Sequence, residues 1–457
     1  MVAKPHRRSP KRAAAIALAM AASASLAACA VYRPAPLEAE SAQVLAQPDL
    51  EVAAAAAARL RHPRLAPVQI DLSRPLTPEA LGLIAVVENP DLKAARAKAG
   101  VAKAQAFAAG LLPDPVITLG GDHILSGPDS TDPRLASIAL DLNALRERGV
   151  TVAAARDARD QARLDLAWQE WQTAGQARLL AARIGGLATV AAIAAESHAR
   201  AESLLSRVLT AAARGDVRAD EVETRRLAAA DAADKARSAE RDLGAARQDL
   251  NKLLGLRPDT ALRIAFAPAP GVAADAEALF ERARAERLDL RALRSGYASQ
   301  EAGVHKAVLD QFPNLQLTIT RQRDTTSNQL IGPSVNFTLP LWNRNRGAIA
   351  VARASREQLR AEYAARLFAT RADIAALVDG LAVERRQRAE IAAQVAPLVP
   401  IVAATEAAAR HGDLAQAAAD AARQSLADKR SSLAALDQAM AEQTTALELA
   451  VGAPLNP

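Results

Sequence analysis

The sequence is poor in most of what catalysis or covalent stapling requires. It has one cysteine, Cys29, which excludes an internal disulfide. Its six histidines (His6, His62, His123, His198, His305, His411) are scattered, with no His-x-x-x-His or Glu-x-x-His pairing. No dense metal site is therefore visible, and no glycine-rich phosphate loop is present. Neither an enzyme nor a bound cofactor is expected. After the first 28 residues no run reaches eighteen consecutive apolar residues, which argues against a simple transmembrane helix but says nothing against a β-barrel. Charge of one sign is also scarce. The +6 of the whole chain falls to about +1 without Lys4, Arg7, Arg8, Lys11 and Arg12, and no basic face stands out, so a nucleic-acid partner is not expected.

Those five cations open an export signal, residues 1–28, whose apolar part runs from Ala13 to Ala28. It ends in Leu26-Ala27-Ala28-Cys29, which resembles a bacterial lipoprotein box with Cys29 as the acylated residue. Ala30, rather than Asp, at the next position permits shipment to the outer membrane in the familiar sorting pattern. A plain secretion signal with an incidental cysteine is the alternative. Residues 29–78, rich in Pro and Ala, read as a tether along the outside of the body with room for one short helix.

The body says nearly the same thing twice. Asp91-Leu92 recurs as Asp289-Leu290, Pro115 as Pro313 and Arg148-Gly149 as Arg346-Gly347, each 198 positions later. Gly215-Asp216 recurs as Gly412-Asp413 and Leu254-Gly255 as Val451-Gly452, each 197 later. Landmarks so evenly spaced mark a duplicated structural unit. The boundaries read as a first repeat over 79–255, a connector over 256–285, a second repeat over 286–452 and a tail over 453–457.

Each repeat holds a strand hairpin, near 115–142 and 313–341. In the second, Leu315, Leu317 and Ile319 alternate with Gln316, Thr318 and Thr320. The return strand opposes Val335, Phe337 and Leu339 to Ser334, Asn336 and Thr338. In the first hairpin Ile117 and Leu119, then Ile138, Leu140 and Leu142, give a weaker version. Period two gives one apolar and one polar face, as in a half-buried soluble sheet or a barrel wall with lipid outside and water inside. Four strands cannot close a barrel, because single-chain barrels need at least about eight. If these strands span a membrane, several chains share one barrel. Phe312 and Trp342, at the same end of the second hairpin, suit a membrane interface.

Each repeat also holds a long helical hairpin, about 149–254 and 347–451. From Gly149 to Gly215 there is no proline, and 66 residues at 1.5 Å rise span roughly 100 Å. Pro397 and Pro400 predict a kink or break in the partner segment. Leu204, Leu205, Val208 and Leu209, then Val222, Leu227, Leu243 and Leu250, form narrow stripes that need neighbouring helices. Trp168 and Trp171 read as packing anchors.

Several of these features together resemble the outer-membrane efflux protein (TolC-like) family. They are Glu88-Asn89-Pro90-Asp91-Leu92, the stretch Leu339-Pro340-Leu341-Trp342-Asn343-Arg344-Asn345-Arg346-Gly347, the turns Arg214-Gly215-Asp216 and His411-Gly412-Asp413, and the helix ends Leu253-Leu254-Gly255 and Ala450-Val451-Gly452. The resemblance covers about residues 79–452, and the Asn-Arg-Asn-Arg-Gly stretch looks most like the heavy-metal cation (CzcC-like) branch. It implies a mainly α fold with a small β part: a homotrimer whose twelve-stranded outer-membrane β-barrel continues into a twelve-helix periplasmic α-barrel. The implied function is a passive exit duct for metal cations or drugs, served by an inner-membrane pump of the RND type and a periplasmic adaptor. A type I protein-secretion duct and a structural coiled-coil lipoprotein are the alternatives. By the resemblance, Arg214, Gly215, Asp216, Val217 and His411, Gly412, Asp413, Leu414 meet the adaptor, although the same residues also make the turns. Glu223 and Asp420 are candidates for an acidic pore constriction, with Asp216, Asp220 and Asp413 as rivals and inter-helix ion pairing as the other reading.

Overall fold

The computed structural model describes residues 32–37, 48–267 and 275–455. The signal and Cys29 lie outside them. The chain divides into two units, 1–47 and 48–457. In the first, residues 32–36 have no regular structure and Leu37 is in a turn. Everything below concerns the second.

Element order within it repeats. Two short helices, α1 (Leu50–Ala57) and α2 (Pro78–Glu88), precede α3 (Pro90–Ala109), β1 (Val116–Gly121), β2 (Arg134–Asp141), α4 (Leu142–Ala212) and α5 (Ala219–Leu253). After α6 (Ala276–Glu286) the same series returns as α7 (Leu288–Leu309), β3 (Leu315–Arg323), β4 (Gln329–Phe337), α8 (Arg346–His411) and α9 (Gln416–Val451). The tether expected to hold one short helix contains α1, capped by Asp49, whose carboxylate accepts from the Glu51 and Val52 amides. Asn89 closes α2 and caps α3, with Pro90 in its first turn.

Two sequence expectations are corrected. The first long helix begins at Leu142, not 149, because Asp141 at the end of β2 accepts from the Asn143 and Ala144 amides. Strand hands over to helix with no loop between them. Second, α8 runs unbroken through Pro397 and Pro400. Both prolines are exposed, as are Ala393 and Ala396, so water can solvate the carbonyls each proline leaves without a partner.

The equatorial core joins both repeats. Leu81 and Ile84 of α2, Ala177 and Ile184 of α4, and Leu250 and Leu254 at the end of α5 form the largest cluster. Leu164, Trp168 and Trp171 pack on Leu288 and Ala292 of α7, so the tryptophans are packing anchors. Gly175 and Gly186 let α9 approach α4, since an added Cβ would clash with the side chains of Leu449 and Gln438.

The expected stripe is partly covered. Val222, Leu243 and Leu250 are buried, whereas Leu209 and Leu227 are exposed. Among the described residues, α4 and α8 each contain an eighteen-residue window of mean hydropathy 1.5, buried to only 22% and 6%. Both helices are thus long and apolar enough to cross a membrane by that measure, although no uninterrupted apolar run exists. On α8 the apolar stretch around Val399 to Val402 is exposed or half-buried apart from Val402, which is buried.

Candidate functional site

The two hairpins form one antiparallel sheet in the order β1-β2-β3-β4. Its register places Ile117, Ile138, Ile319 and Pro333 in one cross-strand row. Neighbouring rows on that face hold Leu140, Leu317 and Val335, and Leu119, Ala136, Arg321 and Ile331. The opposite face carries Thr118, Ser137, Thr320 and Gly332, and Ala139, Thr318 and Ser334. The alternation expected in each hairpin therefore runs coherently through both. Ser137, Thr318 and Thr320 are half-buried, while Ile117, Ile319 and Ile331 are 67%, 45% and 76% exposed. In the middle of the two central strands the polar face is thus the more sheltered and the apolar face the barer, the reverse of what water favours, whereas on the edge strands Thr118 and Ser334 are exposed as well.

Strand β4 begins earlier than the sequence pattern indicates, at Gln329 rather than Ser334. Gly332-Pro333 reads as a breaker, yet a proline is tolerated on an edge strand whose N–H side is free. The Asp324 amide donates to Asn328 O, and bonded pairs alternate along an antiparallel ladder. This puts Pro333, with Ile331 and Val335, in rows whose backbone groups point away from β3. By the same alternation from the Asp122 amide bond to Pro133 O, Ile117 and Leu119 of β1 turn their backbone groups outward. Both edges are therefore open. At the helical end of the sheet Phe312 and Trp342 are 53% and 91% exposed.

At the far ends of the helical hairpins the two turns are copies. Gly215 and Gly412 take φ of 81° and 84°. The following amides, Asp216 and Asp413, donate to Ala211 O and Ala408 O at 3.0 Å each, closing the same left-handed cap. Arg214, Gly215, Asp216, His411, Gly412 and Asp413 are exposed, with Val217 and Leu414 half-buried behind them.

Glu223 and Asp420, equivalent by repeat position, sit differently. Glu223 is exposed and, among the described residues, pairs with Arg226 one turn on, at 3.1 Å. Asp420 is half-buried, 2.7 Å from Arg225 of α5 and 3.5 Å from Arg423. Asp220 lies 3.4 Å from Arg218. Arg225 had no sequence signal, because its role depends on which way α5 faces α9. Between the four long helices near the tips lies a cleft of about 500 Å³ walled in part by Glu196, Arg200, Glu406 and Asp420. The Arg423 guanidinium, hydrogen-bonded to Glu406, holds that carboxyl below its usual range. No group of three or more His, Cys, Asp or Glu that could hold a metal occurs among the described residues.

Residues 279–453 match the family model described as outer membrane efflux protein. No curated protein matches the chain. Among solved structures, CusC is 17% identical, covers 89% of this chain and 99% of its own, and superposes with a TM-score of 0.67. VceC from Vibrio cholerae is 16% identical, with coverage of 83% and 97% and a TM-score of 0.67. The open state of the Neisseria gonorrhoeae MtrE outer membrane channel is 17% identical, with coverage of 82% and 88% and a TM-score of 0.63. At these identities the likeness concerns the fold alone.

Proposed function

We propose that this chain, an outer membrane efflux protein by the match over its second repeat and by its fold, is the outer-membrane exit duct of a tripartite efflux system. One observation carries the reading: a four-stranded sheet whose apolar face is bare and whose two edges are unpaired among the described residues. In lipid each unpaired backbone group costs several kcal/mol, so the sheet is viable there only when other copies supply the missing neighbours. Three copies make a twelve-stranded barrel, with Thr118, Ser137, Thr318, Thr320 and Ser334 lining its bore. The apolar window of α8 then packs between subunits in a twelve-helix α-barrel. Repeat boundaries at about 79–255 and 286–452, with α6 and the connector forming a belt, complete the organisation.

The duct does no chemistry, and an inner-membrane pump supplies the energy. A periplasmic adaptor docks on the tips at Arg214 to Val217 and His411 to Leu414, where two copies of one turn per subunit offer repeated, exposed backbone. Near the tips Glu223, free on one side, and Asp420, held by Arg225, form the constriction. One exposed Glu223 from each of three subunits would favour cations there, while Asp420 is neutralised by Arg225 and Arg423; the cargo is metal cations or drugs. Cys29 anchors the chain by lipid to the outer membrane.

Reconstitution tests the proposal. Detergent-purified protein in planar bilayers is expected to be trimeric and to give cation-selective conductance that Glu223→Gln makes less selective. A protein that stays monomeric in water and gives no conductance would overturn it.

A further inference from the structure

We propose that the loop end of the sheet's apolar face binds the phosphorylated headgroup of a membrane lipid through Arg134, Arg321 and Arg323. Arg134 lies directly opposite Arg323, and Arg321 occupies the adjacent row of the same face. Side chains opposed in this way have Cβ atoms about 5 Å apart, and diagonal neighbours about 7–8 Å. Like charges so placed destabilise a sheet. No compensating carboxylate is provided: among the described residues none of the three is in an ion pair. Arg321 donates to Gln329 Oε1 at 3.0 Å and Arg323 to Ser327 Oγ at 3.2 Å, both neutral acceptors. The nearby acids are engaged or averted. Asp324 accepts from Asn328 and Thr326 and, like Asp122, falls in a polar-face row by the strand alternation. Asp132, which feels the Arg134 charge, is bonded to His123 and the Ile124 amide.

The cluster thus holds three guanidinium groups that lack an anion, at the rim of a bare apolar wall of Leu119, Ile319, Ile331 and Pro333. A lipid phosphate satisfies both features, with the planar forks taking its oxygens and the acyl chains covering the wall. Soluble phosphate could use only the first. Phe312 and Trp342 lie beyond the opposite end of the strands, so the two ends of the sheet differ in chemistry. The inference rests on the reading that this face meets lipid.

Native mass spectrometry of the detergent-purified trimer with diphosphoryl lipid A as probe tests it. The parent protein is expected to retain the probe, and to retain a phosphate-free acyl lipid far less. In Arg134→Ser/Arg321→Ser/Arg323→Ser, retention should fall at least about tenfold, with substantial recovery in the triple Arg→Lys variant. Inorganic phosphate should displace the lipid poorly. Equal retention by parent and triple-Ser proteins, or by phosphorylated and phosphate-free lipids, would overturn the proposal. Should the triple-Ser protein fail to assemble, the comparison of lipids on the parent protein decides. A parent protein that forms no trimer would instead count against the duct reading itself.

Discussion

Asn89 in the first repeat and Arg287 in the second stand at equivalent positions, 198 residues apart, and tie the same two elements together. Asn89 caps α3 by accepting from the Leu92 amide at 2.9 Å, and its Nδ2 donates to Leu253 O at 2.9 Å. Arg287 gives α7 no side-chain cap, and Asp289, inside the first turn, accepts from the adjacent Leu290 amide through Oδ1 at 2.9 Å. Its guanidinium instead holds both Asp289 oxygens at 2.8 and 2.9 Å, donates to Ala450 O at 2.7 Å and covers the Trp168 ring. Leu253 and Ala450 are themselves repeat equivalents. Each repeat thus fastens the start of its first helix to the end of its own hairpin, once with a neutral amide and once with a buried ion pair. The duplication preserves the connection and lets the residues drift. The family match spans 279–453, and the first repeat carries the same element series.

The long helices differ as well. Eleven residues of α4 are buried against four of α8, although the two are 71 and 66 residues long. We read α4 as the axis of the subunit and α8 as the face left for neighbouring copies. The largest effect should come from breaking that contrast. Val399→Glu with Ile401→Glu, both exposed on α8, should leave helicity intact by circular dichroism yet abolish the trimer in size-exclusion chromatography with light scattering. Trp171→Ala on α4 should act the other way, with loss of about 3–5 kcal/mol of stability in urea unfolding because a buried aromatic is deleted.

Next in size is the tie itself. Arg287→Ala removes the bidentate partner of the buried Asp289 carboxylate but leaves it Arg366 at 3.6 Å. It should therefore cost somewhat less than the about 3–5 kcal/mol of a fully stranded charge, and still more than Asn89→Ala, at about 1–2 kcal/mol for a lost cap and hydrogen bond. Equal losses in urea titrations would show that the charge adds nothing to the connection. The turns should be alike: Gly215→Val and Gly412→Val each force a branched residue into a left-handed conformation, at about 1–2 kcal/mol, with similar shifts in thermal melts.

The smallest effect concerns Glu384 of α8. Burial, and then the charge of Glu442, push its carboxyl above the ordinary carboxylate range. The folded state therefore holds this proton at pH values where the unfolded chain has released it. Stability is lost as pH rises from about 4.3, the usual glutamate value, through the raised one. Glu384→Gln should remove that fall and melt slightly higher at neutral pH, with no gain in acid.

Much of this was legible in the sequence, because it depends on short periods and repeated landmarks. Alternation in Asn314 to Thr320 fixed which residues share a face, and Gly-Asp at matched positions located both tips. What escaped depends on orientation in space. Glu223 and Asp420 look equivalent along the chain, but only Asp420 turns toward Arg225. Pro397 and Pro400 look like breakers, but their exposure lets water repair the helix. The return strand read from Ser334 in fact starts at Gln329, since a proline is excluded from a central strand and admitted on an edge.

The central claim, that copies of this chain complete one another's sheet, is tested most directly at the two open edges. In a Cys29→Ser chain, Leu119→Cys on β1 can be combined in turn with Gln329→Cys, Ile331→Cys, Val335→Cys and Phe337→Cys on β4, then oxidised in detergent. The account predicts that at least one pairing gives a ladder of covalent species that ends at three chains. Only monomeric species from every pairing would contradict it.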